Sequence, residues 1–108
     1  MEWRIVTGQP GSPDPVRGET VVVSGDFDLY EGPRFAAELL SHIRAGHRDL
    51  VIDLSGVNYL DSCGVGILIK LLQEIRSGGG QLRFRGIQGT PRRVLEMSNV
   101  ISLLKELT

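Results

Sequence analysis

The chain has 108 residues, of which 41% are hydrophobic and 23% are charged. That length suffices for one domain with its own core, and the composition argues against disorder. Twelve basic against thirteen acidic residues leave a formal net charge of −1, which argues against nucleic acid or an anionic membrane as the main partner. The single cysteine, Cys63, excludes an internal disulfide and a multi-cysteine zinc site. We expect one cytoplasmic domain over residues 1–108, without a membrane span.

The first half of the chain predicts a β-hairpin followed by a helix. Apolar and β-branched runs at 3–7 and 20–24 favour two antiparallel strands, and the Gly- and Pro-rich segment 8–18 predicts a long loop between them. A helix is predicted to begin at 32–33, because proline suits the first helical position, and to end at Gly46. Its apolar face is defined by residues at helical spacing: Phe35, Ala36, Leu39, Leu40 and Ile43.

The second half predicts strands alternating with helices. Segment 50–54 is typical of a central strand, and 55–59 is expected to turn the chain. The further elements are a helix at 62–77, a strand at 81–85 and a helix at 90–97. The tail from residue 100 to 108 leaves a short strand or a final helix open. This order predicts an α/β fold, in which one layer of mixed, mostly parallel sheet with four to five strands packs with three to four helices.

The start of the second predicted helix is unusual, since it consists of an acid and very small residues. Asp61 or Ser62 can cap the free N–H groups of its first turn. Gly64 and Gly66 each disfavour a helix by about 1 kcal/mol relative to alanine. Two explanations are open for these glycines: close packing of the helix on a strand, or a bare helix end that another polypeptide can approach.

The stretch VIDLSGVNYLDSCGVGILI at residues 51–69 resembles the signature of the STAS domain, in particular that of bacterial anti-sigma factor antagonists. Further matching motifs occur in order: GDFD at 25–28, GGGQL at 78–82 and PRRVLEMS at 91–98. The resemblance covers about residues 20–101. It implies a STAS fold and a non-enzymatic role in partner switching. Such a protein binds an anti-sigma factor, usually a serine kinase with a GHKL-type ATP site, and so releases a sigma factor for transcription.

The same resemblance implies regulation by phosphorylation, with one departure in this sequence. In the family the kinase modifies the hydroxyl residue just before the helix glycine, and a PPM-type, metal-dependent phosphatase restores it. That position is Cys63, whose thiol is not a substrate for a serine kinase. Ser62 lies one residue earlier, turned by about 100° on a helix. Three outcomes are open: a permanently competent antagonist, modification at Ser62, or another STAS role.

We expect the partner-binding residues to lie together, because loops at the carboxyl ends of parallel strands meet at one edge of a sheet. The predicted set is Asp26, Asp28, Asp61, Ser62, Cys63 and Gly64. Turn formation is the alternative role for the first two acids.

Other polar residues are assigned no chemistry. We predict no catalytic residue, cofactor or metal ligand, and we expect His42 and His47 to be solvated. Arg92 and Arg93 are expected on a solvated helix face or in a minor partner contact. Two rival functions stay open: an accessory STAS subunit of a lipid ABC transporter, and a thiol-based redox switch at Cys63. A homodimer through an exposed sheet edge is a further open alternative.

Overall fold

The computed structural model describes residues 1–7 and 18–107, and within them five strands and three α-helices form one α/β unit. In chain order the elements are β1 (Glu2–Thr7), β2 (Glu19–Phe27), α1 (Gly32–Arg44), β3 (Asp49–Leu60), α2 (Ser62–Ser77), β4 (Gln81–Arg85), α3 (Gly89–Met97), a 3₁₀ turn (Ile101–Leu103) and β5 (Lys105–Glu106). The predicted fold class is confirmed. The predicted loop 8–18 lies outside the described residues apart from Gly18.

The strands lie side by side in chain order, from β1 to β5. β1 is antiparallel to β2, and the other neighbours are parallel. Each parallel connection therefore leads to the adjacent strand and carries one α-helix. Buried residues of the three helices and of β2, β3 and β4 join in one apolar core. The carboxyl ends of the parallel strands consequently meet at one edge of the sheet.

Aromatic packing anchors the carboxyl end of β2 in this core. Phe27, the last residue of β2, and Phe35 of α1 are both fully buried. Their rings pack edge to face with centroids 5.3 Å apart, and Trp3 of β1 meets Phe35 in the same way at 5.4 Å. Since edge-to-face pairs are favourable beyond the area that they bury, the end of β2 is held firmly.

β2 and β3 are both longer than the sequence predicts. The prediction of a turn at 55–59 is wrong, because these residues belong to β3. β3 continues to Leu60 because its second half pairs with β2, with Asp26 opposite Tyr59 and Phe27 opposite Leu60. Two register shifts in this part of the ladder accommodate residues that usually form turns. Long-range pairing thus overrides the local preference of Ser, Gly and Asn.

Of the two alternatives left open for the tail, the short strand forms as β5, and a 3₁₀ turn precedes it. β5 is parallel to β4, and the N–H of Leu107 donates to the carbonyl of Phe84 at 2.7 Å. The guanidinium of Arg92 on α3 holds β5 through both carboxylate oxygens of Glu106, at 2.7 and 3.2 Å. Arg92 was predicted on a solvated helix face or in a minor partner contact. In the structure it instead ties α3 to the last strand.

Candidate functional site

The carboxyl ends of β2 and β3 lie side by side, and α2 begins directly after β3. The N–H of Asp61 donates to the carbonyl of Phe27 at 3.3 Å, which joins the end of β3 to the end of β2. This places the loop after β2 beside the first turns of α2. We name residues 26–30 and 59–66 the β2–α2 edge.

Asp61 ties the two parts of the β2–α2 edge together. Its Oδ1 accepts the N–H of Gly64 at 2.9 Å and so caps α2, while its Oδ2 accepts the N–H of Leu29 at 3.2 Å. Asp61 rather than Ser62 is thus the residue whose side chain caps the helix. One carboxylate anchors both the helix start and the neighbouring loop.

The two acids after β2 differ in their surroundings. Asp28 is half-buried, and its Oδ1 accepts the N–H groups of Tyr30 at 3.0 Å and Glu31 at 3.1 Å. The alternative role in turn formation therefore holds for Asp28. Asp26 is exposed on the same edge, opposite Tyr59 of β3.

Each of the two explanations for the glycines near the start of α2 applies to one of them: close packing to Gly64 and a bare helix surface to Gly66. A Cβ at Gly64 would lie 2.5 Å from Leu60 Cδ1 and 2.8 Å from the carbonyl oxygen of Phe27. Gly64 is buried and permits α2 to pack on the ends of the strands. Gly66 is exposed, and within the described chain a Cβ there would meet nothing within 4 Å. The bare helix surface therefore belongs to Gly66, which the predicted set lacks.

Ser62 and Cys63 are the first two residues of α2. Ser62 is exposed, and Cys63 is half-buried with a free thiol. Cys63 thus lies between the exposed Ser62 and the buried Gly64.

Three exposed apolar side chains complete the β2–α2 edge: Leu29, Tyr30 and Tyr59, which are 61%, 84% and 47% exposed. Apolar side chains concentrated in this way beside acids are typical of a protein-binding surface. The predicted set omits all three. Leu29 and Tyr30 lie between the GDFD motif and the predicted helix start, so two apolar residues at that position were a usable signal. The exposure of Tyr59, by contrast, depends on the unpredicted extension of β3.

A separate polar cluster lies at the amino end of β2. Glu19 Oε1 is 2.9 Å from His42 Nε2 and 2.6 Å from His47 Nδ1. The two imidazole rings stack with centroids 3.7 Å apart. The side chain of His42 is only 20% exposed, so the prediction that both histidines are solvated is wrong for His42. The partner that covers it, Glu19, is distant in sequence and part of no local motif.

In the described part of the chain, no helix combines the length and apolar character that crossing a membrane requires.

Comparisons with known proteins agree with this architecture. The family model of the STAS domain matches residues 15–107. The anti-sigma-B factor antagonist of Staphylococcus aureus (strain NCTC 8325 / PS 47) is 27% identical over 84 residues, which cover 78% of this chain and 78% of that protein.

Solved structures of low sequence identity share the fold. An anti-sigma factor antagonist from Mycobacterium paratuberculosis superposes with a TM-score of 0.75 at 20% identity, over 97% of this chain and 85% of that chain. The anti-sigma factor antagonist SpoIIAA in its unphosphorylated form gives 0.72 at 14% identity, over 99% and 88%. The phosphorylated form of SpoIIAA, from Bacillus, gives 0.70 at 16% identity, over 99% and 92%. With a family match that spans most of its length, the chain belongs to the STAS domain family.

Proposed function

We propose that this chain is an anti-sigma factor antagonist, which docks on an anti-sigma factor through the β2–α2 edge and thereby releases a sigma factor. The proposal is supported by membership of the STAS family and by the relatives that carry this function in their names. The observation that carries it is the joint presence of acidic and exposed apolar side chains beside the bare start of α2. The chain acts as a single cytoplasmic domain and catalyses no reaction.

The composition of the edge indicates what its partner must offer. Aromatic side chains contribute most to binding when they are buried in a partner's pocket, and Tyr30 is 84% exposed in the isolated domain. The carboxylates of Asp26 and Asp28 favour a partner surface that carries lysine or arginine, because opposite charges speed and orient docking. We therefore expect the partner surface to be an apolar groove with a basic rim. The resemblance to anti-sigma factor antagonists implies that this partner is an anti-sigma factor of the serine kinase type with a GHKL ATP site.

Cys63 changes how this antagonist is regulated. A phosphate adds about −1.5 to −2 charges at neutral pH, and beside Asp61 and Asp28 it would disturb both the charge balance and close approach. Because a thiol cannot take the place of the serine or threonine, we propose that the protein stays competent to bind without a phosphatase. Ser62 is the one hydroxyl within the first turn that the kinase could modify instead.

The docking proposal is tested by calorimetric titration of the host's candidate anti-sigma factors with wild-type protein, Tyr30→Ala and Met97→Ala. We expect at least one factor to bind, and Tyr30→Ala to weaken that binding by about tenfold or more. Met97 is the matched control, since it is 78% exposed but lies on α3. Failure of every factor to bind, or equal loss in both variants, would overturn the proposal.

The phosphorylation proposal is tested by mass spectrometry after incubation with the kinase and ATP. We expect no phosphate on the wild-type chain at Cys63, and a gain of phosphate at that position in Cys63→Ser. A Ser62→Ala variant distinguishes modification at the neighbouring hydroxyl. Phosphate that appears on wild-type protein and disappears in Ser62→Ala would contradict permanent competence.

A further inference from the structure

We propose that Glu19, His42 and His47 bind a divalent transition-metal ion, in the first place Zn²⁺, at the amino end of β2. The inference is independent of the proposed docking function. Each of the three side chains offers one ligand atom, and these atoms all lie within 4.8 Å of one another. The proposal replaces the sequence-based expectation that the chain has no metal ligand.

The distances suit a small ion after slight adjustment. With zinc–ligand bonds of about 2.0–2.1 Å, tetrahedral ligand atoms are about 3.3–3.4 Å apart. Glu19 Oε1 is now 2.9 Å from His42 Nε2 and 2.6 Å from His47 Nδ1. The two imidazole rings are nearly parallel, at 12°, so they must turn relative to each other for both nitrogens to face one ion. Rotations about the terminal side-chain torsions, which are soft, would both turn the rings and open these separations. Each neutral imidazole would then carry its proton on the ring nitrogen that does not face the ion.

The chemistry of the donors selects the class of ion. Two imidazoles and one carboxylate are a ligand set typical of Zn²⁺ with the fourth position open to water. Ca²⁺ and Mg²⁺ prefer sets made of oxygen ligands, so they fit this cluster poorly. Nickel, cobalt and copper ions also accept imidazole ligands, and Co²⁺ therefore serves as a spectroscopic probe for the site.

The backbone places the three ligands without depending on the metal. His42 lies in the last turn of α1, and the N–H of His47 donates back to the carbonyl of His42 at 3.4 Å. Gly46 between them has φ +111°, a left-handed conformation that favours glycine and reverses the chain after the helix. This turn returns His47 onto His42, and Glu19 at the start of β2 meets both.

Burial also favours a site that an ion can enter. The side chains of Glu19 and His42 are 14% and 20% exposed, whereas that of His47 is 46% exposed. Glu19 and His42 are thus held by the residues around them, and His47 lies on the side of the site that faces solvent. A bound ion would join the end of α1 to the start of β2, about 25 Å along β2 from the β2–α2 edge.

The experiment uses the full chain without a histidine tag, titrated with Zn²⁺ by calorimetry and with Co²⁺ by absorption spectroscopy. We expect one ion per chain, d–d bands of low-coordinate Co²⁺, and an unfolding temperature that rises on the order of 10 °C at a hundredfold excess of metal over Kd. His47→Ala should weaken binding by about tenfold or more.

Two further variants separate a metal site from a hydrogen-bonded cluster. Glu19→Gln keeps an oxygen that accepts from both imidazoles but removes the charge, so it should lower metal affinity while the metal-free unfolding temperature changes little. Cys63→Ser is the control for binding through the thiol and should bind as the wild type does. Absence of saturable binding at one ion per chain, or equal affinity in wild type and His47→Ala, would overturn the proposal.

Discussion

The two ends of β2 are held in opposite ways. At its carboxyl end α2 packs directly on the strand through buried Gly64, and the carboxylate of Asp61 joins helix and loop. At its amino end three polar side chains hold one another, and one of them, His47, is nearly half-exposed. Residues at the carboxyl end therefore serve stability and the proposed docking at once, whereas His47 at the amino end can change with little cost to the fold.

The largest effect is expected from Gly64→Ala. An added methyl group would overlap Leu60 and the main chain of Phe27, so α2 must shift on the sheet. Overpacking of this kind costs about 2–3 kcal/mol of unfolding free energy, measured by urea denaturation. A value within about 0.5 kcal/mol of wild type would show that the helix adjusts freely, and the contrast between the two ends would fail.

Asp61→Ala comes next in size. It removes the helix cap, worth about 1 kcal/mol, and the bond to the N–H of Leu29, worth a further 0.5–1.5 kcal/mol or so. Asp61→Asn is the matched variant, because asparagine is an equally good cap. Asparagine keeps one accepting oxygen for the N–H of Gly64, but its amide nitrogen cannot accept the N–H of Leu29. Recovery of about 1 kcal/mol in Asp61→Asn, the share of the cap, would support the capping role, and equal losses in both variants would contradict it.

Gly66→Ala is expected to act in the opposite direction. Its added Cβ meets no atom of the described chain within 4 Å, and alanine favours a helix over glycine by about 0.5–1 kcal/mol. The variant should therefore unfold at a higher urea concentration than wild type. A loss of stability would show that Gly66 has a packing role like that of Gly64.

The smallest effect is expected from His47→Ala in the absence of metal. The side chain of His47 is 46% exposed, and substitutions at exposed positions usually change the unfolding free energy by about 0.5 kcal/mol or less, so an effect of that size is expected. Denaturation in the presence of a chelator provides the measurement. A loss as large as that in Gly64→Ala would mean that the amino end is as essential to the fold as the carboxyl end.

Local patterns in the sequence were sufficient to predict the order of the helices and main strands and several of the residues at which helices begin or end. Apolar periodicity located the helices, Gly46 lies just beyond the end of α1 as predicted, and Asp61 caps α2. The meeting of Asp26 and Asp61 at one edge also follows from topology, since parallel strands align their carboxyl ends.

Features that depend on distant partners could not be predicted. Ser55 to Tyr59 read as a turn because the strand that pairs with them is far away in sequence. The contact of Glu19 with His42 crosses 23 residues and belongs to no motif. The pairing of Arg92 with Glu106 likewise joins separate elements. The burial of Gly64 and the exposure of Gly66 depend on how α2 is rotated against the sheet, which composition does not specify.

The double hydrogen bond of Asp61 has a mechanical consequence. Because one carboxylate grips both the first turn of α2 and the main chain at Leu29, neither segment can move without stretching a bond to the other. A change at the helix start that displaces Asp61 would therefore break both hydrogen bonds together. The segment that carries the exposed side chains of Leu29 and Tyr30 would then lose its attachment to α2 at the same time as the helix loses its cap.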